Sequence, residues 1–154
     1  TILIHHSHLK NWNITTTELF QIAKDNTQKI LPEKLYDMND VIYELSGRLT
    51  HPDPTVSRPS PYPMFVLTNE TNLFGATCLL YKDLLKHFSE ESQTDFYILP
   101  SSIHEVILVP TLENDCYGEL SDMVREVNDS QFIFDRTLST HAYYYSRRKN
   151  EITM

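Results

Sequence analysis

Ser101, Ser102, His104 and Glu105 fall within one short stretch, Pro100 to Glu105, and form the densest group of reactive side chains in the sequence. A serine nucleophile needs an imidazole to take its proton and a carboxylate to hold that imidazole. All three types are present. Members of such a triad must approach from different directions, which neighbours in sequence rarely do. The usual serine elbow also sets glycines beside its nucleophile, whereas Pro100 and Ser102 flank Ser101 here. A hairpin connection accounts for the same residues: proline fixes φ, the serines bond local backbone donors, and His104 and Glu105 open a returning strand. No catalytic residue is assigned, and an enzymatic alternative rests on these four.

His5, His6 and His8 are a second concentration of ligand-type side chains, and histidine is a common zinc ligand. If the segment is extended, alternate side chains point to opposite faces. No nearby cysteine or carboxylate completes a set, so neither metal nor cofactor is expected. Tyr143, Tyr144 and Tyr145, followed by Arg147, Arg148 and Lys149, have the types that stack on bases. A strand with alternate rings inside and outside explains them equally well. Cys78 lies in an apolar run and Cys116 in a polar one, a spacing that suits neither a metal site nor a disulfide framework. Asp37, Asp40 and Glu44 read as a solvated helix face.

Two short apolar runs, Phe96–Leu99 and Val106–Val109, carry the Ser-Ser-x-His-Glu turn between them. Runs of four or five residues rich in Ile, Val, Tyr and Phe, bounded by Pro and Ser, read as strands. They lack polar alternation, so both are expected at the centre of a sheet with both faces covered, paired as an antiparallel hairpin. Thr1 to Ile4 reads as a strand entered midway. Thr15 and Glu18 form a capping box, opening a helix that Pro32 stops near residue 31. Leu19, Ile22, Ala23 and Ile30 give that helix a core-facing stripe, widened by Phe20. Asp37 caps a shorter helix over 39–46.

Five prolines fall in the Thr50–Pro63 region (52, 54, 59, 61 and 63), which excludes helix and sheet interior and marks a long loop. Met64–Asn69 is a strand, and Leu73–Tyr81 is expected to return beside it, with Gly75 marking a bulge or a close backbone approach. A helix over about 82–91 follows, then the central hairpin. Further elements are a helix over about 117–128, a short strand over 131–134 and a final strand over 142–146, before a basic turn or frayed end. The expected fold is α+β: an antiparallel or mixed sheet built from two ββα units, 64–91 and 95–128, with helices mainly on one face.

At 154 residues the chain suits a single domain. Its 40% hydrophobic and 22% charged residues are globular values. Thirteen basic against 21 acidic residues give −8, which disfavours a nucleic-acid partner whose affinity rests on neutralising phosphates. Three glycines leave no glycine-rich phosphate loop. No apolar run is long enough to span a membrane and no signal region opens the chain, so a cytoplasmic location is expected.

Several stretches together carry a family likeness. They are Leu9-Lys10-x-Trp12 before Glu18-Leu19-Phe20, Met64 to Asn69, Gly75-Ala76 with Leu80-Tyr81, Phe96 to Leu108, and Leu138-Ser139 with Tyr143-Tyr144-Tyr145. In this order they resemble a family of uncharacterised bacterial proteins defined only as a domain of unknown function, over nearly the whole chain. The Leu-Pro-Ser-Ser-x-His-Glu-Val motif, Leu99 to Val106, is its most distinctive part. A fainter likeness exists to another uncharacterised bacterial group with a similar strand, Pro-Ser turn and strand. Lys82-Asp83 departs from the usual Pro-Gly, at a loop or helix start. The resemblance implies that residues 1–154 are the C-terminal part of a longer chain, and it brings no activity with it.

The function expected from these features is a non-enzymatic protein-binding or regulatory module of a bacterial cell, with a regulatory or defence-related protein as its partner. One alternative is a hydrolase-like enzyme using Ser101 or Ser102 with His104 and Glu105. The other is an acidic nucleic-acid mimic acting as an inhibitor. Oligomeric state is left open.

Overall fold

The structure is a computed structural model, and it describes residues 2–40, 63–111, 138–139 and 141–154. In chain order the elements are α1 (His6–Trp12), α2 (Thr16–Ile30), β1 (Glu33–Asp37), β2 (Phe65–Asn69), a 3-10 helix (Gly75–Leu80), α3 (Leu84–Ser92), β3 (Phe96–Leu99), β4 (Val106–Pro110), β5 (Tyr143–Ser146) and β6 (Glu151–Thr153). The described strands form one sheet of order β1-β2-β4-β3-β5-β6, and every neighbouring pair is antiparallel. The fold class is α+β, as expected.

β3 and β4 take the two central places, which is why neither shows polar alternation. Their hairpin pairs Ile98 with Leu108 and Leu99 with Ile107. Successive residues point to opposite faces, and both faces are covered. Phe96, Ile98, Val106 and Leu108 join Leu67 on one side, where Ala76, Cys78, Leu85 and Phe88 pack on them. The 3-10 helix and α3 therefore lie on that face. Phe88 meets Phe96 edge-on at 4.9 Å between ring centroids, and Phe96 stacks on Tyr145 at 4.7 Å. Tyr97, Leu99 and Val109 turn to the other face beside Ala142, all buried.

Several expectations are corrected. Leu73–Tyr81 does not return as a strand but closes into the 3-10 helix, so the first ββα unit does not form. The buried Asn69 side chain forces the reversal, donating to the Leu73 carbonyl at 2.8 Å and accepting from the Thr71 N–H at 3.0 Å. Phe74 then takes a left-handed φ of 55°, and the chain packs on the sheet face as the 3-10 helix instead of pairing as a strand. Gly75 makes the close backbone approach expected of it: a Cβ there would overlap Thr68 Oγ1 and the His104 carbonyl oxygen, and would lie 2.8 Å from Thr68 Cα.

Ile2 to Ile4 form no strand and are exposed. β1 and β6 were not expected; both are short, polar edge strands without an apolar run to announce them. Residues 147–150 form a turn, as the basic run suggested, but the chain pairs again beyond it.

α2 begins as its sequence signals. Thr15 Oγ1 accepts from the Glu18 N–H at 3.2 Å, and the Glu18 carboxylate accepts from the Thr15 N–H at 2.8 Å, which holds that carboxyl below its usual value. The helix ends before Pro32. Its stripe, however, is not in the core, because no α2 residue is buried. The expected helix and strand at 117–128 and 131–134, most of the 39–46 helix and nearly all of the 50–63 loop lie outside the described residues. At the start of 39–46, the Asn39 N–H donates to the Asp37 carboxylate at 2.8 Å. No helix among the described residues is long and apolar enough to cross a membrane.

Candidate functional site

The Pro-Ser-Ser-x-His-Glu turn joins β3 to β4 and leans on the 3-10 helix. Two hydrogen bonds close it: the Ser102 N–H donates to the Glu105 carbonyl at 3.1 Å, and the His104 N–H donates to Ser102 Oγ at 3.0 Å. The second is the local side-chain-to-backbone bond that makes serine a turn residue. The turn is then fastened outward. The Ala76 N–H donates to the Ile103 carbonyl at 3.3 Å, and the Thr68 hydroxyl donates to the His104 carbonyl at 2.9 Å.

The imidazole of His104 is half-buried, and its Nδ1 accepts from the Phe74 N–H at 3.0 Å. That nitrogen carries no proton, so the neutral ring bears its hydrogen on Nε2. The rings of Phe74 and His104 lie 5.5 Å apart. Phe74 is a bulky residue at positive φ, a conformation that costs of order 1–3 kcal/mol. His104 holds it by both a hydrogen bond and a ring contact. The turn brings Ser102 and His104 together only through the latter's backbone N–H. No hydrogen bond joins a serine hydroxyl to the imidazole, or the Glu105 carboxylate to it, among the described residues.

Two of the three N-terminal histidines are helical, and only His5 keeps an extended backbone. His5 caps α1 while His6 and His8 lie within it. The His5 N–H donates to His8 Nδ1 at 3.0 Å, and the His8 ring stacks on Trp12 at 5.7 Å. Among the described residues no three His, Cys, Asp or Glu side chains are grouped to hold a metal. The Cys78 thiol is buried and donates to the Thr68 carbonyl at 3.2 Å. Burial pushes its pKa up, against thiolate formation.

A family model described as a family of unknown function (DUF5688) matches residues 1–147. The chain belongs to that family. No curated protein and no solved structure matches it.

One polar constellation of this DUF5688 chain was not singled out from sequence. Asp95 precedes β3 and accepts at one carboxylate oxygen from the Tyr144 hydroxyl, and at the other from the Arg147 N–H at 2.9 Å. The bond to Asp95, with partial burial and the carboxylate's charge, pushes the Tyr144 pKa up to about 12. Nearly fifty residues separate the partners. Only the pairing of Phe96 with Tyr145 sets them side by side, and no local spacing carries that signal. In the Tyr run, Tyr145 is buried in the core, and half-buried Tyr143 packs against the same cluster. Half-buried Tyr144 packs on the cluster of the opposite face, so no ring of the run is exposed.

Proposed function

We propose that this chain is a non-enzymatic module, in a bacterial cell, that docks another protein on the apolar stripe of α2. The observation that carries this reading is the way α2 is fastened. Gln28 Oε1 accepts from the Lys82 N–H at 3.1 Å, and Gln28 Nε2 donates to the Lys82 carbonyl at 3.4 Å. At 3.6 residues per turn, nine positions from Leu19 to Gln28 amount to two and a half turns. The helix is thus held by its polar side, and the stripe of Leu19, Ile22 and Ile30 faces away from the attachment. Phe20, Ile22 and Ile30 are 56%, 49% and 72% exposed.

A helix of about this length is marginal in water without tertiary packing, so an amphipathic one turned outward is suited to completion by a partner. The chain's charge of −8 favours a partner whose apolar contact is set in a basic surround, since complementary charge steers encounter. In the β3–β4 turn, Ser102 Oγ and His104 Nδ1 both accept from backbone donors, which supports a structural rather than hydrolytic use of these groups.

Photocrosslinking residues placed at 20 or 30 test the reading in the native host, with positions 86 and 90 on α3 as controls. The expected adduct forms from α2 and not from α3. The captured protein, purified, should bind the module with at least tenfold lower affinity after Phe20→Ser or Ile22→Ser, and more weakly as salt rises. Equal crosslinking from α3, an adduct only with a second copy of this chain, or binding indifferent to both substitutions overturns the proposal.

A further inference from the structure

The cleft between the β5–β6 turn and the β3 and β4 ends is lined by Gln93, Thr94, Asp95, Thr111, Arg147 and Arg148, with a volume of about 540 Å³. Arg147 and Arg148 are the only arginines among the described residues, and in a chain of net −8 they stand side by side on one turn. The next residue, Lys149, pairs with Glu151 at 3.3 Å. Neither guanidinium forms an ion pair among the described residues. The one carboxylate in the lining, Asp95, is engaged by the Tyr144 hydroxyl and the Arg147 backbone N–H. It pins the turn in place, and the two side-chain cations remain in excess over it.

Both walls are fixed before any ligand arrives. On the turn, the Asn150 N–H donates to the Ser146 carbonyl at 2.8 Å, and the Tyr145 hydroxyl donates to Asn150 Oδ1 at 2.5 Å. Opposite, Thr111 donates to the Asp95 carbonyl through its N–H at 2.9 Å and its hydroxyl at 3.1 Å, and the Thr94 and Thr111 hydroxyls lie 2.7 Å apart. Guanidinium groups present planar forks of N–H donors that match oxyanions, phosphate above all. From these features we infer that the cleft is a binding site for a small phosphate monoester, whose phosphoryl oxygens are taken by Arg147 and Arg148. The volume lies within the range of small-molecule sites, which leaves room for the organic part beyond the phosphate.

Amide NMR titration of the whole chain with inorganic phosphate, at constant ionic strength and with acetate and chloride as comparisons, tests this. Saturable shifts are expected at Thr94, Thr111, Arg147 and Arg148, with phosphate binding at least tenfold tighter than acetate. Arg148→Gln should weaken binding at least tenfold and Arg148→Lys by less, while Lys34→Gln, on the far edge strand, should change it less than twofold. Thermal melts of all three variants should match the parent. Non-saturating shifts common to phosphate and chloride, or equal losses in Arg148→Gln and Lys34→Gln, overturn the site.

Discussion

β3 and the stripe of α2 both carry large apolar side chains, yet the fold treats them in opposite ways. All four residues of β3 are buried, between the 3-10 helix and α3 on one face and further apolar side chains on the other. Not one residue of α2 is buried. Large apolar side chains occur in both; attachment differs. A central strand has neighbours on both edges, and here side chains also cover both its faces, those of the 3-10 helix and α3 on one and Ala142 with its neighbours on the other. A helix held by a polar side chain at one end can turn its apolar stripe either way, and here it turns outward. Core and surface hydrophobicity thus occupy distinct places in one small chain: the first stabilises the sheet, and the second is the exposed face of α2 on which the proposed docking rests.

The strongest test of that contrast is truncation of one phenylalanine in each region. Phe96→Ala, which removes a ring packed between Phe88 and Tyr145, should cost ~3–5 kcal/mol in denaturant unfolding. Phe20→Ala should cost less than ~0.5 kcal/mol, as for surface positions generally. Comparable losses at the two positions would show α2 packed in solution and end the contrast.

A smaller effect is expected where the hairpin meets the 3-10 helix. Gly75→Ala sets a methyl group against Thr68 and the His104 carbonyl, backbone that has little room to give, and should destabilise by ~1–3 kcal/mol. A neutral result would mean that the approach of these two backbones relaxes freely.

Next in size is His104→Gln, which disturbs the acceptor of the Phe74 N–H and should lower stability by ~1–2 kcal/mol. Hydrogen exchange at the Phe74 amide reads the same bond directly and should accelerate. If exchange there is unaltered, His104 is not what holds the left-handed residue.

The smallest effect is alkaline. The folded-state pKa of Tyr144, about 12, lies above the ordinary value of 10.0. Its contribution to stability is therefore complete below pH 10 and declines as pH rises from there through about 12. Tyr144→Phe should remove part of the alkaline loss seen in pH-dependent melts, and only part, because Tyr81 and Tyr145 are shifted in the same direction. An identical alkaline profile in the variant would mean that the bond to Asp95 does not persist in solution.

The sequence by itself determined those features whose cause lies within a few residues. Pro100 and the serines bound the runs that became β3 and β4, Thr15 and Glu18 set the first turn of α2, and Pro32 its end. The turn residues of 100–105 bonded locally as their types require. Tertiary structure decided what depends on partners far along the chain. An apolar run such as Leu73–Tyr81 satisfies a strand or a tight helix equally well, and Asn69, Thr68 and His104 chose the helix by the bonds and close contacts they offer. β1 and β6 are strands only because a sheet edge was there to pair with them. The stripe of α2 was legible, but not its direction, because Lys82 sits fifty-four residues from Gln28. Asp95, Tyr144 and Arg147 meet only through the register of β3 with β5. Spacing along the chain encodes hydrogen bonds within a turn; the meeting of distant groups follows from how the whole sheet packs.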